Sequence, residues 1–225
     1  FSLPQGGTLG VVGKTGSGKT TLLILLIREF ELSHGSISIG HRTINEYKLE
    51  FLRKAIGYVP QDHFLFSATI ADNISFACPD ATFEEIVNAA KLANIHEDII
   101  QFTHGYDTVV GERGVSLSGG QKQRISIARS LIMDPEILIL DDSLSAVDAK
   151  TEEIILHALK ENRQGKTTII TSHRLSAIQH SNIILVLENG TIVQKGTHEQ
   201  LMEEEGWYKE MYHRQQLESL VEHGG

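Results

Sequence analysis

Short, fully apolar runs alternate along this chain with longer amphipathic stretches. Thr8-Leu9-Gly10-Val11-Val12, Ile56-Gly57-Tyr58-Val59, Ile137-Leu138-Ile139-Leu140 and Thr167-Thr168-Ile169-Ile170-Thr171 are four or five residues long and carry no charge. That is the pattern of strands buried on both faces. Residues 19–30 are rich in Leu and Ile and predict a helix, and residues 149–162 predict an amphipathic one. Ser118 is placed to cap a helix running to about Met133, where Asp134-Pro135 stops it. Residues 36–39 alternate and end at Gly40, predicting an antiparallel strand beside the first. Residues 183–188 and 191–195 flank Asn189-Gly190, a hairpin signal. Helices are expected from about His198 onward, with Glu203-Glu204-Glu205 as a solvated helix face. Residues 70–102 read as helical, with an apolar stripe through Ile86, Val87, Ala90 and Ala93. This stretch interrupts the strand–helix alternation and predicts a separate helical lobe in an α/β fold.

Composition narrows the classes of partner. The 225 residues include 40% hydrophobic and 22% charged side chains, enough chain for a substantial core. The net charge is −9 and no block of Lys or Arg is present, which argues against nucleic acid as the main partner. Cys78 is the single cysteine, so no internal disulfide can form, as fits a reducing compartment. The longest apolar run, residues 22–27, falls far short of the ~20 residues that span a bilayer. No signal peptide is recognisable, and a start at Phe1 rather than Met fits a fragment. Any membrane link is therefore expected outside this chain or through a partner.

The strongest chemistry lies between the first strand and the first helix. Gly13-Lys14-Thr15-Gly16-Ser17-Gly18-Lys19-Thr20 fills the pattern G-x-x-x-x-G-K-[ST], with Thr21 following. Glycines let backbone N–H groups close on phosphate oxygens, and the helix behind presents its positive end. Lys19 adds a mobile cation, and the Thr20 hydroxyl is placed for Mg²⁺. Asp141 ends an apolar strand, where a carboxylate needs a metal or a hydrogen-bonding partner. Leu117-Ser118-Gly119-Gly120-Gln121 offers a second helix start with free N–H groups, which serves equally as an anion site or as a plain N-cap.

The phosphate loop, Gln61, Leu117-Ser118-Gly119-Gly120-Gln121, Ile137-Leu138-Ile139-Leu140-Asp141-Asp142 and His173 follow one another in the order of the ATP-binding cassette (ABC) family, which the chain resembles over nearly its whole length. The resemblance implies a P-loop NTPase fold. A RecA-like core with an antiparallel β part would occupy about 1–68 and 134–225, and an inserted α-helical lobe about 69–133. It also implies two such domains closing head to tail over two ATP molecules with Mg²⁺. Ser118, Gly119, Gly120 and Gln121 would then face the ATP held by the partner's P-loop. Gln61 would touch Mg²⁺ and the attacking water, Asp141 would hold Mg²⁺, and His173 would contact the γ-phosphate. Ser145-Ala146-Val147-Asp148 matches the loop that meets the second domain. Thr108-Val109-Val110-Gly111-Glu112-Arg113-Gly114 and Gln61-Asp62-His63-Phe64-Leu65-Phe66-Ser67-Ala68-Thr69-Ile70 resemble stretches of exporters that dock the membrane domain, although Phe64 and Phe66 fit plain core packing too. The family's adenine-stacking aromatic, part of its antiparallel sheet and the membrane domain would lie upstream of Phe1.

Asp142 departs from the family, which has Glu there. Losing one methylene draws the carboxylate back by roughly 1.3–1.5 Å. A general base must reach its proton within about 2.6–3.2 Å, and about 1 Å of misplacement costs on the order of 100-fold in rate. The pattern resembles the degenerate-site subunit of bacterial heterodimeric multidrug exporters of the BmrCD kind, at the cytoplasmic face of a membrane. The resemblance implies that this chain would hold ATP while its intact Ser118–Gln121 segment would complete the partner's site. An ATP-gated dimerisation module with little catalysis and a soluble, non-transport ABC ATPase are the alternatives.

Overall fold

The computed structural model describes residues 1–111 and 114–223. Its main sheet has six strands: β1 (Thr8–Val12), β4 (Ile56–Val59), β5 (Ile137–Asp141), β6 (Thr167–Thr171), β7 (Ile183–Glu188) and β8 (Thr191–Gly196), in the order β4-β5-β6-β1-β7-β8. The first five in that order are parallel, and β8 returns antiparallel through the hairpin. Asn189 and Gly190 both adopt positive φ, 50° and 77°, as a two-residue hairpin turn with right-handed strand twist demands.

Consecutive residues of the apolar strands face opposite cores, which explains why the runs are uninterrupted. Val11, Ile139, Ile169, Leu185 and Leu187 pack with Leu23 and Leu52 on one face. Val12, Leu138, Leu140, Ile170, Ile184 and Val186 pack on the other. The first face is covered by α1 (Lys19–Leu26) and α2 (Leu49–Ala55). The second shares one continuous core with the helical lobe, made of α3 (Ile70–Ser75), α4 (Phe83–Leu92), α5 (His96–Gln101) and α6 (Gly119–Leu131), and with α7 (Ala149–Asn162). The capping boxes of Thr69, Thr82 and Ser118 start α3, α4 and α6. Helices α8 (His198–Glu203) and α9 (Trp207–His223) close the chain.

Three expectations need correction. The alternating segment at 36–39 is not a strand beside the first. Only Ser38–Ile39 (β2) forms a strand, and it pairs with Arg42–Thr43 (β3) in a separate two-stranded ribbon. Both edges of β1 are already taken by the parallel strands β6 and β7. Helix α1 stops at Leu26, not at 30. Arg28 turns to a φ of 51°, and Arg53 donates to the carbonyls of Ile27 and Arg28 left over at the helix end. Glu204 and Glu205 lie beyond the end of α8, exposed in the turn before α9.

Candidate functional site

The carboxyl ends of β1, β4, β5 and β6 lie side by side, because Val59 pairs with Leu140, Asp141 with Thr171, and Thr171 with Val11. The register therefore brings the phosphate loop, Gln61, the two acids and His173 to one edge, the usual ligand edge of an open parallel sheet.

The loop is built around backbone. Gly13 has φ 150° and Gly18 φ 100°, and Gly18 caps α1 with no side-chain hydrogen bond. A Cβ on Gly13 would stand 2.2 Å from the Leu187 carbonyl oxygen, so the β7–β8 hairpin presses directly on the loop. The Gly190 N–H donates to the Ser17 carbonyl, and the Lys14 ammonium lies 3.9 Å from Glu188. Lys19 is buried and donates to the carbonyls of Gly13 and Lys14 at 2.8 and 3.1 Å. Burial pulls its pKa below the usual lysine range, against the opposing pull of Asp142 and Asp141. The buried Ser17 hydroxyl has no hydrogen-bond partner among the described residues. Thr20 and Thr21 are exposed on the first turn, as are Thr15 and Gly16 in the loop. A buried orphan hydroxyl, an uncapped helix start and a lysine folded over glycine peptides are the features of a cradle that fits phosphate.

Each carboxylate oxygen of Asp141 accepts from a protein hydroxyl: Thr171 donates to one at 2.7 Å and Tyr58 to the other at 3.1 Å. Burial and the Asp141 charge push the Tyr58 phenol far above its ordinary range. Asp142 sits at φ 46°, a region that Asp tolerates better than most residues, and its N–H is shared between the carbonyl and the hydroxyl of Thr171 at 3.1 and 2.9 Å. One Asp142 carboxylate oxygen lies 3.3 Å from the Gln61 amide nitrogen and 3.8 Å from His173 Nε2. Burial raises the Asp142 pKa, opposed chiefly by His173. The two residues expected to handle water, Asp142 and Gln61, and the histidine expected at the γ-phosphate therefore meet at a single oxygen atom.

The second helix start lies apart from this cluster. No hydrogen bond or ion pair among the described residues joins Ser118, Gly119, Gly120 or Gln121 to residues 13–21. The Ser118 hydroxyl accepts from the Gln121 N–H, and the Gln121 side chain accepts from the Ser118 N–H. Gln121 also donates to Asp98, which holds Arg124 through two hydrogen bonds. Gly120 lies against the Ala146 carbonyl, where a Cβ would come within 3.0 Å. The segment 145–148 is fastened by residues that the motif reading passed over. Gln123 donates to the Ser145 hydroxyl and accepts from the Ala146 N–H, while Arg174 donates to the carbonyls of Ser145 and Val147 and to Glu152. Tyr58, Thr171, Gln123 and Arg174 had no motif to mark them. Only their positions within three residues of Gln61, Gln121 and His173 hinted at a role.

The two stretches that resemble docking segments are neighbours. Val110 N–H donates to the Ala68 carbonyl, Ile70 N–H to that of Thr108, and Thr69 bridges Val109. Glu112 and Arg113 lie outside the described residues. The stretches border a groove of about 530 Å³ lined by His63, Phe64, Leu65, Val110, Val115 and Leu117. Phe64 is 67% exposed. Phe66 is half-buried, stacking on Phe76 at 4.2 Å beneath the Arg129 guanidinium. Neither ring belongs to the two core clusters, and Phe66 packs on the exposed rings of Phe64 and Phe76.

A phosphate cradle at the end of β1, an acid-ended β5 and parallel order place the chain in the P-loop NTPase class. Comparison with known proteins gives the family. A model described as ABC transporter matches residues 1–145. The chain is 52% identical over 224 residues to the probable multidrug resistance ABC transporter ATP-binding/permease protein YheI of Bacillus subtilis (strain 168), covering 100% of this chain and 38% of that protein. It is 51% identical over 222 residues to the multidrug resistance-like ATP-binding protein MdlA of Escherichia coli (strain K12), covering 99% and 38%. An ATP-bound bacterial Atm1-family ABC exporter has the same fold, with a TM-score of 0.92 at 42% identity over 96% of this chain and 38% of that one. The chain belongs to the ABC transporter family, as an ATP-binding domain of it. It spans about 38% of the length of these relatives. No helix among its described residues is long and apolar enough to cross a membrane.

Proposed function

We propose that this domain binds MgATP, closes head to tail with a second ABC domain over two ATP molecules, and drives export through a membrane domain at the cytoplasmic face of the membrane. Lys19 and the loop of residues 13–21 hold the phosphates. Thr20, Gln61 and Asp141 would hold Mg²⁺, which neutralises charge on the transferred phosphoryl group. Ser118, Gly119, Gly120 and Gln121 serve the ATP of the second domain. The groove beside Phe64 takes an element of the membrane domain, and the lobe of about 69–133 moves with it. The substrate is drug-like or lipid-like, and the relatives named for multidrug resistance support the drug-like class.

The domain's own site turns over slowly, and its best partner is a different subunit carrying Glu at the position of Asp142. The observation that carries this reading is the Asp142 carboxylate, one methylene short and engaged at a single oxygen by Gln61 and His173. Geometry rather than basicity is lost, because the intrinsic pKa values of Asp and Glu differ by only about 0.4. The test is ATP turnover by the unmodified domain against Asp142→Glu. Tight MgATP binding with turnover that rises on substitution is expected. Robust turnover by the unmodified domain as a homodimer would refute the asymmetry. No turnover in either form, or with a Glu-bearing partner, would favour an ATP-gated dimerisation module.

A further inference from the structure

Helix α9 reaches back to the histidine at the end of β6. Its inward face carries Tyr208, Met211, Tyr212 and Gln215, spaced i, i+3, i+4 and i+7, so these four share one stripe. Tyr208 is fully buried, and Met211 and Tyr212 pack against the main core, which anchors the helix. Tyr208 is further fixed by a 2.9 Å contact between its hydroxyl and His198 Nδ1, and by its N–H donating to Gln194. Gln215 is the next residue along that stripe. Its amide nitrogen donates to the His173 carbonyl at 2.7 Å, and its amide oxygen accepts from the Leu175 N–H at 2.9 Å. The two bonds clasp the backbone on either side of Arg174.

The clasped segment is held at other points too: the Arg174 carbonyl accepts from the Ala177 N–H, and the Leu175 carbonyl from those of Ile178 and Gln179. The Arg174 N–H is taken by the Ser172 hydroxyl at 2.9 Å, and the Arg174 side chain runs away to Ser145, Val147 and Glu152. The His173 ring is half-exposed, 3.8 Å from Asp142. A side chain whose own packing is loose takes its position from its backbone.

We propose that Gln215 is a positioning residue for His173: by clasping the His173 carbonyl and the Leu175 N–H, helix α9 sets where the imidazole stands against Asp142 and against the terminal phosphate of bound nucleotide. The inference rests on the ATP-binding reading above, and within it the C-terminal helix becomes part of the apparatus that distinguishes ATP from ADP. His173 is the group aimed at the phosphate that only ATP has, so a displaced His173 costs ATP affinity and leaves ADP affinity alone.

The test uses the full-length protein in its assembled transporter. Photolabelling of this subunit by 8-azido-ATP is competed with ATP or with ADP for the unmodified protein, Gln215→Met, His173→Ala and the double variant. Met keeps the length and helix propensity of Gln and removes both bonds. Gln215→Met is expected to weaken competition by ATP about fivefold, part of one hydrogen bond to a charged group, while competition by ADP stays within twofold. In the double variant the losses should not add, because both changes act on one contact. His173→Ala leaves the clasped backbone intact, so additive losses would show that Gln215 acts elsewhere and would overturn the proposal. Equal loss of ATP and ADP, or no loss in Gln215→Met, would overturn it as well. Failure of the slow-turnover reading registers separately, as rapid hydrolysis by the unmodified site, and does not change these competitions.

Discussion

Two helices of this protein begin at glycine-rich segments, and they are finished differently. Helix α1 starts at Gly18 with no side-chain cap, and the buried Ser17 hydroxyl beside it has no hydrogen-bond partner among the described residues. Helix α6 starts at Ser118 with a complete capping box to Gln121, braced from behind by Asp98 and Arg124. The first start leaves polar groups whose needs only a ligand meets. The second satisfies its outermost donors internally and offers the N–H groups of Gly119 and Gly120 on a rigid platform. The first resembles a receptor for its own ligand, and the second a finished surface for a ligand brought by another molecule. That is the division of labour expected if the chain's own ATP and its partner's ATP are handled at different helix starts.

The largest effect should come from the acid beside the first start. Asp142→Glu is expected to raise turnover by this chain's site by on the order of 100-fold, measured as phosphate release. An unchanged rate would mean that Asp142 does not limit the site. Next, Lys19→Ala should weaken MgATP binding to the single chain by roughly 10- to 100-fold in calorimetry, the loss of charged hydrogen bonds. Ser118→Ala in the same titration should bind normally and fail only in partner-dependent turnover. If Ser118→Ala weakens binding to the single chain, the contrast between the two ends collapses.

A smaller effect separates the two starts by sign. Ser118→Ala should lower stability by about 1 kcal/mol through loss of the cap. Ser17→Ala should raise the stability of the nucleotide-free chain by about 1 kcal/mol, because a buried, unpartnered hydroxyl is removed, while weakening ATP binding. Thermal unfolding with and without MgATP reads both. The smallest effect concerns pH. Burial raises the Asp142 pKa in the folded chain, so the native state holds this proton more tightly than the unfolded one. Stability from this group is therefore present below the unfolded value, about 3.9, and is lost as pH rises through the raised folded value. Asp142→Asn should melt higher than the unmodified chain at pH 7, with the difference shrinking as pH falls toward 4.

Much of the second face and the central strands could be read directly from residue order. The five-residue runs at 8–12 and 167–171 stand as strands, and Ala149–Asn162 is the helix its stripe predicts. These signals are local: a cap, a turn or a period involves residues within a few positions of each other. The segment at 36–39 misled for the complementary reason. Alternation reports a half-buried extended chain, and it carries no information about which strand lies alongside.

The sequence by itself determined the phosphate cradle, the capped start of α6 and the acid-ended β5, and hence the family, as well as the short acid at 142 that departs from it, since each is spelled by neighbouring residues. Only the tertiary structure decided that Tyr58 and Thr171 satisfy Asp141, that Gln61 and His173 meet at one oxygen of Asp142, and that Gln215 clasps the loop bearing that histidine. The partners in these contacts are 30 to 83 residues apart along the chain. They meet because parallel register aligns four strand ends and a buried helix stripe returns to them, and no local pattern encodes that meeting.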